Sequence, residues 1–330
     1  MPPPPSPPVP PSSDASSAKL LGAFGVVYVV WGSTYLAIRF AIETLPPLLM
    51  ASVRFLVAGG LLYAWARSRG APRPTPSQWR SAAIVGGLLF VGGNGAVVLS
   101  EQWVPSGLVA LLVASVPLWM VVVDWIWGSG MRPSGRVSLG LLAGFAGVAT
   151  LAGSPGAGEG GAHELLGVVL VTAGSAAWAA GSIYARHADV PGRPRLWVGM
   201  QMLAGGALLF PLSVITGEVG RLDVGAVSAK SLLALAYLVI FGALLAFSAY
   251  IWLLTRSTPA QVSTYAYVNP VVALFLGWSL ADEPLTFRSL VAAVIIVGSV
   301  VVITAGGPRR SGPRDAEVGP QRAAEPGGER

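Results

Sequence analysis

The sequence predicts an all-α polytopic membrane protein: ten transmembrane helices arranged as two inverted five-helix repeats around a central cavity. Three observations predict it. Of the 330 residues 53% are hydrophobic and only 11% charged, whereas a soluble domain spends about a quarter of its residues on charge. Between Leu20 and Ala305 the apolar residues fall into ten runs, each near the ~20 residues that a bilayer core of ~30 Å asks of a helix. Marker residues of the first five runs then recur, in order, in the last five. A soluble globule, a fibrous protein and a wholly disordered chain are excluded as the main architecture.

The first 19 residues hold eight prolines and the serines Ser12, Ser13, Ser16 and Ser17. Few backbone donors and little apolar surface predict a disordered tail over 1–19. No charged start followed by an apolar run is present, so a cleaved signal peptide is not expected and the first span is retained. The ten runs read Leu20–Phe40, Pro46–Ala66, Trp79–Leu99, Pro105–Trp127, Val137–Ala152, Leu165–Ala185, Leu196–Ile215, Ser231–Leu254, Pro259–Leu280 and Phe287–Ala305. Backbone groups in lipid must bond within their own segment, which makes each run a helix. The domains expected are a first repeat over 20–153, a link over 154–164, a second repeat over 165–306 and a disordered tail over 307–330.

Charge sets the orientation. Lys19, Arg67, Arg69, Arg73, Arg80, Arg132, Arg136, Arg186, Arg193, Arg195, Arg256 and the five C-terminal arginines share one face. Glu43, Glu101, Glu159, Glu164, Glu218, Asp223, Asp282 and Glu283 lie on the other. Enrichment of Lys and Arg on the cytoplasmic side puts both termini inside the cell membrane. Only an even number of spans allows that.

Pro117 and Trp125 recur 153 residues later as Pro270 and Trp278, Pro105 recurs as Pro259, and Trp31 and Arg39 recur as Trp178 and Arg186 with the same spacing of eight. After a two-residue deletion Pro133 matches Pro284. An ordered series of this kind marks a duplication. A unit of five spans must insert in opposite senses in its two copies, so the repeat is inverted about an axis in the membrane plane.

Several motifs carry a likeness: Trp31-Gly32-Ser33-Thr34-Tyr35 in the first span, Pro46-Pro47 and Arg54 in the second, and Val104-Pro105-Ser106-Gly107 with Pro117 in the fourth. Ser263-Thr264-Tyr265-Ala266-Tyr267-Val268-Asn269-Pro270 follows in the ninth. In this order they resemble the EamA-type drug/metabolite transporter superfamily, and within it YedA-type bacterial exporters. The resemblance covers nearly all of Leu20 to Ala305. It implies ten helices in two inverted repeats around a central cavity, and a substrate class of amino acids, metabolites and amphipathic drugs, generally moved outward.

Pro117 and Pro270 lie inside spans at equivalent depths, where each removes a donor and should break its helix; they are the expected gates. Trp31, Thr34 and Tyr35 fall within one helical turn and suit an aromatic or amphipathic guest, or else an interfacial aromatic belt. In the polar ninth span Gln261, Thr264 and Tyr265 share a face; with Asn94 and Asn269 they complete the expected substrate cavity, although Asn269 serves equally well to satisfy backbone freed by Pro270. Arg54 is the one arginine deep in a span. It would either bind a substrate carboxylate or hold the fold by pairing with Asp124 or carbonyls. Glu101 is either a proton-coupling carboxylate or a solvated loop acid. Glu283 is expected to charge the start of the tenth helix. The small residues Gly140 and Gly144 suit a homodimer face or close packing within a monomer alike.

Other classes lack their chemistry. Cysteine is absent, the two histidines lie in links on opposite sides, and neither HExxH nor GxSxG occurs, so no enzyme, cofactor or metal centre is expected. Neither lysine follows a glycine, which excludes a P-loop. The expected partners are a small-molecule substrate and membrane lipid, not nucleic acid. The function expected is a secondary transporter working by alternating access, an exporter with proton coupling; a gradient-driven facilitator or channel of the same fold is the alternative, and a membrane scaffold or receptor would not require the duplication.

Overall fold

The computed structural model describes residues 13–128, 130, 132–152, 159–254, 256–257, 259–262 and 264–306. Among them every regular element is helical. Ten long helices follow one another: α1 (Ser13–Ala41), α2 (Pro47–Ser68), α3 (Pro76–Ser100), α4 (Ser106–Trp127) and α5 (Gly135–Ala152), then α6 (Glu159–Ala185), α7 (Pro194–Ile215), α8 (Ala229–Leu253), α9 (Pro259–Val262 and Tyr265–Leu280) and α10 (Phe287–Gly306). Seven of them, α1–α4 and α6–α8, are long and apolar enough to cross a membrane. The apolar parts of α5, α9 and α10 are shorter, Gly135–Leu151, Tyr265–Leu280 and Phe287–Ile303.

Local chemistry starts most of these helices. Pro46 is extended (φ −60°, ψ 132°) and hands over to Pro47 in the first turn of α2, where a missing N–H costs nothing. A capping box of Thr75 and Gln78 opens α3, Ser228 Oγ accepts from Ser231 N at 3.1 Å at the start of α8, and Thr286 Oγ1 accepts from Ser289 N at 3.1 Å at the start of α10. Each satisfies a donor that no helical carbonyl reaches.

The helix limits depart from expectation in two places. α1 already begins at Ser13, so Ser13–Lys19 extend the first helix instead of belonging to a disordered tail; Ala15 and Ala18 are strong helix formers that continue the span outward. α6 begins at Glu159, inside the expected link. The remaining parts of the expected tails and link, 1–12, 154–158 and 307–330, lie outside the described residues.

Packing follows an exchange of partners between the halves. α1 packs on α8 and α9, while α6 packs on α3 and α4. α2 lies against α7, α5 against α10, and α4 against α9. Small residues let these helices approach: a Cβ on Gly59 of α2 would lie 2.7 Å from Leu203 N of α7, and one on Gly32 of α1 would lie 2.7 Å from Val272 Cβ of α9. Gly140 and Gly144 are spent inside the chain: a Cβ on Gly140 would lie 2.8 Å from Ile303 Cγ1 and one on Gly144 2.5 Å from Leu118 Cδ1. The interior is led by Phe55 and Phe90, whose rings are 4.5 Å apart, with Leu111, Leu112, Leu209 and Leu238 around them. Outward, Ile215 is 79% and Phe287 82% exposed; apolar side chains this open suit lipid rather than water.

Of three segments of wide, π-type winding among the described residues, two interrupt the bundle at matching places, Gly87–Gly95 in α3 and Leu238–Leu245 in α8, and the third, Asp124–Gly128, lies at the end of α4. π-Winding leaves carbonyls displaced from the ordinary ladder. α4 breaks at Ala114–Ser115, with Ser115 N bonded to Leu112 O at 3.0 Å and Leu118 N to Ser115 O at 2.9 Å.

Candidate transport site

The bundle has an acidic and a basic end. At the acidic end Lys230 Nζ meets Glu43 Oε1 at 2.6 Å, Ser231 Oγ donates to Phe40 O at 2.8 Å, and Arg39 Nη1 donates to Glu101 O. Glu218, in the one-turn helix Glu218–Arg221, accepts from Leu49 N at 2.9 Å and so caps α2. Burial raises the Glu218 carboxyl above its ordinary range, against the opposing pull of the Leu49 and Leu48 amides. At the basic end Arg186 Nη1 lies 3.4 Å from Asp124 Oδ1, and Gln78 Nε2 donates to Asp189 Oδ1 at 3.4 Å.

Between these ends, toward the basic one, an aromatic cluster joins α1, α8 and α9. The Trp31 ring lies 5.2 Å from Phe247, 5.2 Å from Tyr250 and 5.1 Å from Tyr265. Trp31 Nε1 donates to Gly242 O at 3.1 Å, a carbonyl within the π-wound segment of α8. The other half mirrors this contact. Trp178 of α6 packs on Gly93 in the π-wound segment of α3, 2.7 Å from where a Cβ would stand. Trp178 thus seats where only glycine leaves room for it, whereas Trp31 reaches its glycine of the opposite half through the carbonyl.

Gly242 also joins this cluster to a charged group nearer the acidic end. A Cβ on it would lie 3.1 Å from Thr34 Cγ2 and 3.4 Å from Arg54 Nη2. Arg54 is 6% exposed, its Nε has no hydrogen-bond partner, and its guanidinium lies 4.9 Å over the Phe55 ring. It does not pair with Asp124, which the fold places at the basic end with Arg186. Glu101, one residue past α3, is fully buried with neither carboxylate oxygen hydrogen-bonded. It is therefore not a solvated loop acid. Burial drives its carboxyl well above the ordinary range; Glu283 adds to the rise, and Arg39 and Arg54 oppose it. Tyr35 shares this field with Glu101 and Arg54.

The remaining expected residues divide. Thr34 is buried and donates to Trp31 O at 2.6 Å. Thr264 bonds Tyr28 Oη of α1 and donates to Gln261 O at 2.5 Å, while Gln261 itself is exposed. With its amide nitrogen turned toward carbonyls, Asn269 donates to Tyr28 O at 3.3 Å and Tyr265 O at 3.1 Å, which binds α9 to α1. Asn94 Nδ2 donates to Leu89 O at 3.4 Å within the π-wound segment of α3, apart from the aromatic cluster.

The two prolines do not act alike. Pro117 sits in the first turn of the second piece of α4, just after the break. Pro270 lies inside the continuous piece Tyr265–Leu280, so it does not break α9 as expected. The discontinuity comes earlier, between Val262 and Tyr265, where Tyr267 N bonds Thr264 O at 3.0 Å in a tightened turn. Glu283 serves α4 rather than α10: Oε1 accepts from Ser106 N at 2.8 Å and Oε2 from Gly107 N at 3.0 Å.

Tyr250, Phe247, Gly242 and Tyr28 belong to the site and were not singled out from the sequence. The signal available was the aromatic spacing Phe247, Tyr250 in the eighth span, one helical turn apart.

The EamA-like transporter family model matches the chain twice, over residues 20–153 and 165–305, which are α1–α5 and α6–α10. The chain is 40% identical over 299 residues to the uncharacterized inner membrane transporter YedA of Escherichia coli (strain K12), covering 87% of this chain and 91% of that protein. It is 27% identical over 284 residues to the uncharacterized transporter YvbV of Bacillus subtilis (strain 168), covering 86% and 90%. A solved crystal structure shares the fold with a TM-score of 0.59 at 21% identity, covering 87% of this chain and 98% of that one. With a family match along nearly the whole bundle and a relative this similar, the protein is a multi-pass membrane transporter that belongs to the EamA-like transporter family.

Proposed function

We propose that the protein is a secondary transporter that exports small metabolites, amino acids or amphipathic drugs by alternating access, with Glu101 as the proton-carrying group. In this reading all ten helices span the cell membrane, the basic end and both termini are cytoplasmic, and α1–α5 and α6–α10 are inverted repeats. The observation that carries it is a buried guanidinium and a buried carboxylate, Arg54 with its Nε and Glu101 with both oxygens lacking hydrogen-bond partners, beside an aromatic cluster drawn from both halves. Charged groups held in low dielectric with unsatisfied polar atoms cost several kcal/mol, a cost accepted where the groups act on something that comes and goes. Arg54 takes a substrate carboxylate, Trp31, Tyr250 and Tyr265 take apolar or aromatic parts, and Glu101 gains and loses a proton between the two faces.

The exchanged partners support the two-faced part of the reading. Because α1 packs on α8 and α9 while α6 packs on α3 and α4, swapping the roles of the halves yields a second conformation of similar energy, open to the opposite side. Counterflow in proteoliposomes tests it. A carrier preloaded with unlabelled amino acid or drug accelerates uptake of the labelled compound and saturates. Uptake that neither saturates nor responds to preloading, and ignores a pH gradient, would leave a channel or facilitator instead.

A further inference from the structure

At the acidic end the Glu283 carboxylate bridges the halves by capping a helix, beside the Glu218 cap and the Glu43–Lys230 pair, whereas among the described residues the basic end joins the halves through Arg186 and Asp124. α9 closes in a left-handed turn at Asp282 (φ 52°), where Glu283 N bonds Gly277 O at 3.1 Å. That turn swings the Glu283 side chain back across α9 onto the first turn of α4. Its two oxygens take the N–H groups of Ser106 and Gly107 at 2.8 and 3.0 Å. These are first-turn donors that no carbonyl within α4 can reach, and a negative group there also meets the positive end of the helix.

The contact depends on two glycines. A Cβ on Gly277 would run into the Glu283 carboxylate, and one on Gly107 would lie 2.9 Å from Leu274 Cδ2. The approach of α4 to α9 is thus built around this cap.

Among the described residues the basic end shows no such cap. Pro133 is the sequence match of Pro284, so the position matching Glu283 is Arg132, and Arg132 is exposed. A guanidinium carries only donors and cannot cap the start of α9 at Pro259. The two ends, otherwise related by exchange of halves, are therefore closed by different chemistry.

We propose that Glu283 is the latch of the acidic-end gate: it ties α4 to α9 in the conformation described and must release the first turn of α4 before that end opens, so the resting protein favours opening toward its basic end. The proposal rests on the alternating-access reading. Glu283 is a positioning residue in it, touching protein and not substrate.

The chain contains no cysteine, so introduced cysteines carry spin labels without background. One preparation of full-length protein in nanodiscs would be labelled at Gln102→Cys and Leu285→Cys across the acidic end, and a second at Arg132→Cys and Arg256→Cys across the basic end. In Glu283→Ala the ratio of open to closed acidic-end distances should rise roughly tenfold or more, as expected for losing two charge-assisted bonds, while the basic-end pair shortens. Glu283→Gln should fall between, because its carbonyl oxygen still accepts one N–H. Acidic-end distances unchanged in both variants, or both pairs lengthening together, would overturn the latch. If Glu283→Ala fails to fold, a Glu283→Gln distribution identical to that of the unmodified chain overturns it alone. Counterflow on the same samples separates the two ideas: a latch that releases in protein showing no counterflow keeps this proposal and removes the carrier reading.

Discussion

Replacing Trp31 separates a packing role from a role in the transport cycle. Trp31→Phe keeps an aromatic ring among Phe247, Tyr250 and Tyr265, now at 5.1 to 5.2 Å, and deletes only the N–H that serves Gly242 O at 3.1 Å. Losing one buried hydrogen bond of this kind costs about 0.5–1.5 kcal/mol. Trp31→Ala also removes three aromatic pairs worth about 0.5–1.5 kcal/mol each and leaves a cavity, about 3–5 kcal/mol in total. If the ring only packs, the melting temperature falls in that order while counterflow per folded molecule stays constant. If the Trp31–Gly242 bond holds α1 to α8 in one conformation of the cycle, a loss of ~1.4 kcal/mol changes the ratio of conformers about tenfold, and counterflow per folded molecule changes already in Trp31→Phe. The assay is counterflow at matched amounts of folded protein, with thermal unfolding in the same detergent. A Trp31→Phe protein indistinguishable from the parent in both measurements refutes the reasoning.

The other perturbations act at the charged group and at the helix seams. Glu101 holds its proton to higher pH in the folded chain than in the unfolded one, whose carboxyl titrates near pH ~4.3. Folding stability therefore declines as pH rises from that value through the raised folded one, and Glu101→Gln should melt higher at neutral pH and flatten the pH dependence of exchange; an unchanged pH profile in counterflow counts against proton carriage. Arg54→Met removes a buried cation whose Nε has no partner, so the protein should stay folded while counterflow of carboxylate-bearing substrates drops about tenfold or more. Equal loss for neutral and acidic substrates would contradict a carboxylate site. Gly32→Ala sets a methyl 2.7 Å from Val272 Cβ and should cost about 1–3 kcal/mol of stability by overpacking, read as a lowered melting temperature.

The helices were legible because hydropathy and length decide them locally. The expected Pro46–Ala66 became Pro47–Ser68, and Leu196–Ile215 became Pro194–Ile215. Aromatic and charged candidates were found by type, since a polar or ionised group in an apolar run must be spent on something. Partners were not legible. Arg54 had been matched with Asp124, yet the fold sends Asp124 to Arg186 and sets Arg54 beside Gly242. The target of Glu283 depends on a single left-handed residue, Asp282, which turns the side chain away from α10, the next helix in sequence, toward α4. π-Winding escaped for a similar reason: Leu238–Leu245 reads as an ordinary apolar helix, and only its packing against Trp31 reveals it.

Departures from symmetry bear on how the proposed cycle is biased. Two halves related by exchange would give two conformations of equal energy, and each difference between them tilts that balance by its own free energy. α4 breaks at Ala114–Ser115, directly before Pro117, whereas α9 breaks before Tyr265 and runs unbroken through Pro270. The matched prolines therefore do not bend matched points, and the longer rigid piece of α9, Tyr265–Leu280, ends at the turn that carries Glu283. Any swing of that piece away from α4 must break the cap on Ser106 and Gly107, whereas Arg132, the residue that matches Glu283, is exposed. The acidic end opens against the Glu283 cap, and the basic end only against the exposed Arg186–Asp124 pair, which is worth less. In the proposed cycle the carboxylate of Glu283, at the position matched by Arg132 in the first half, favours the conformation closed at the acidic end.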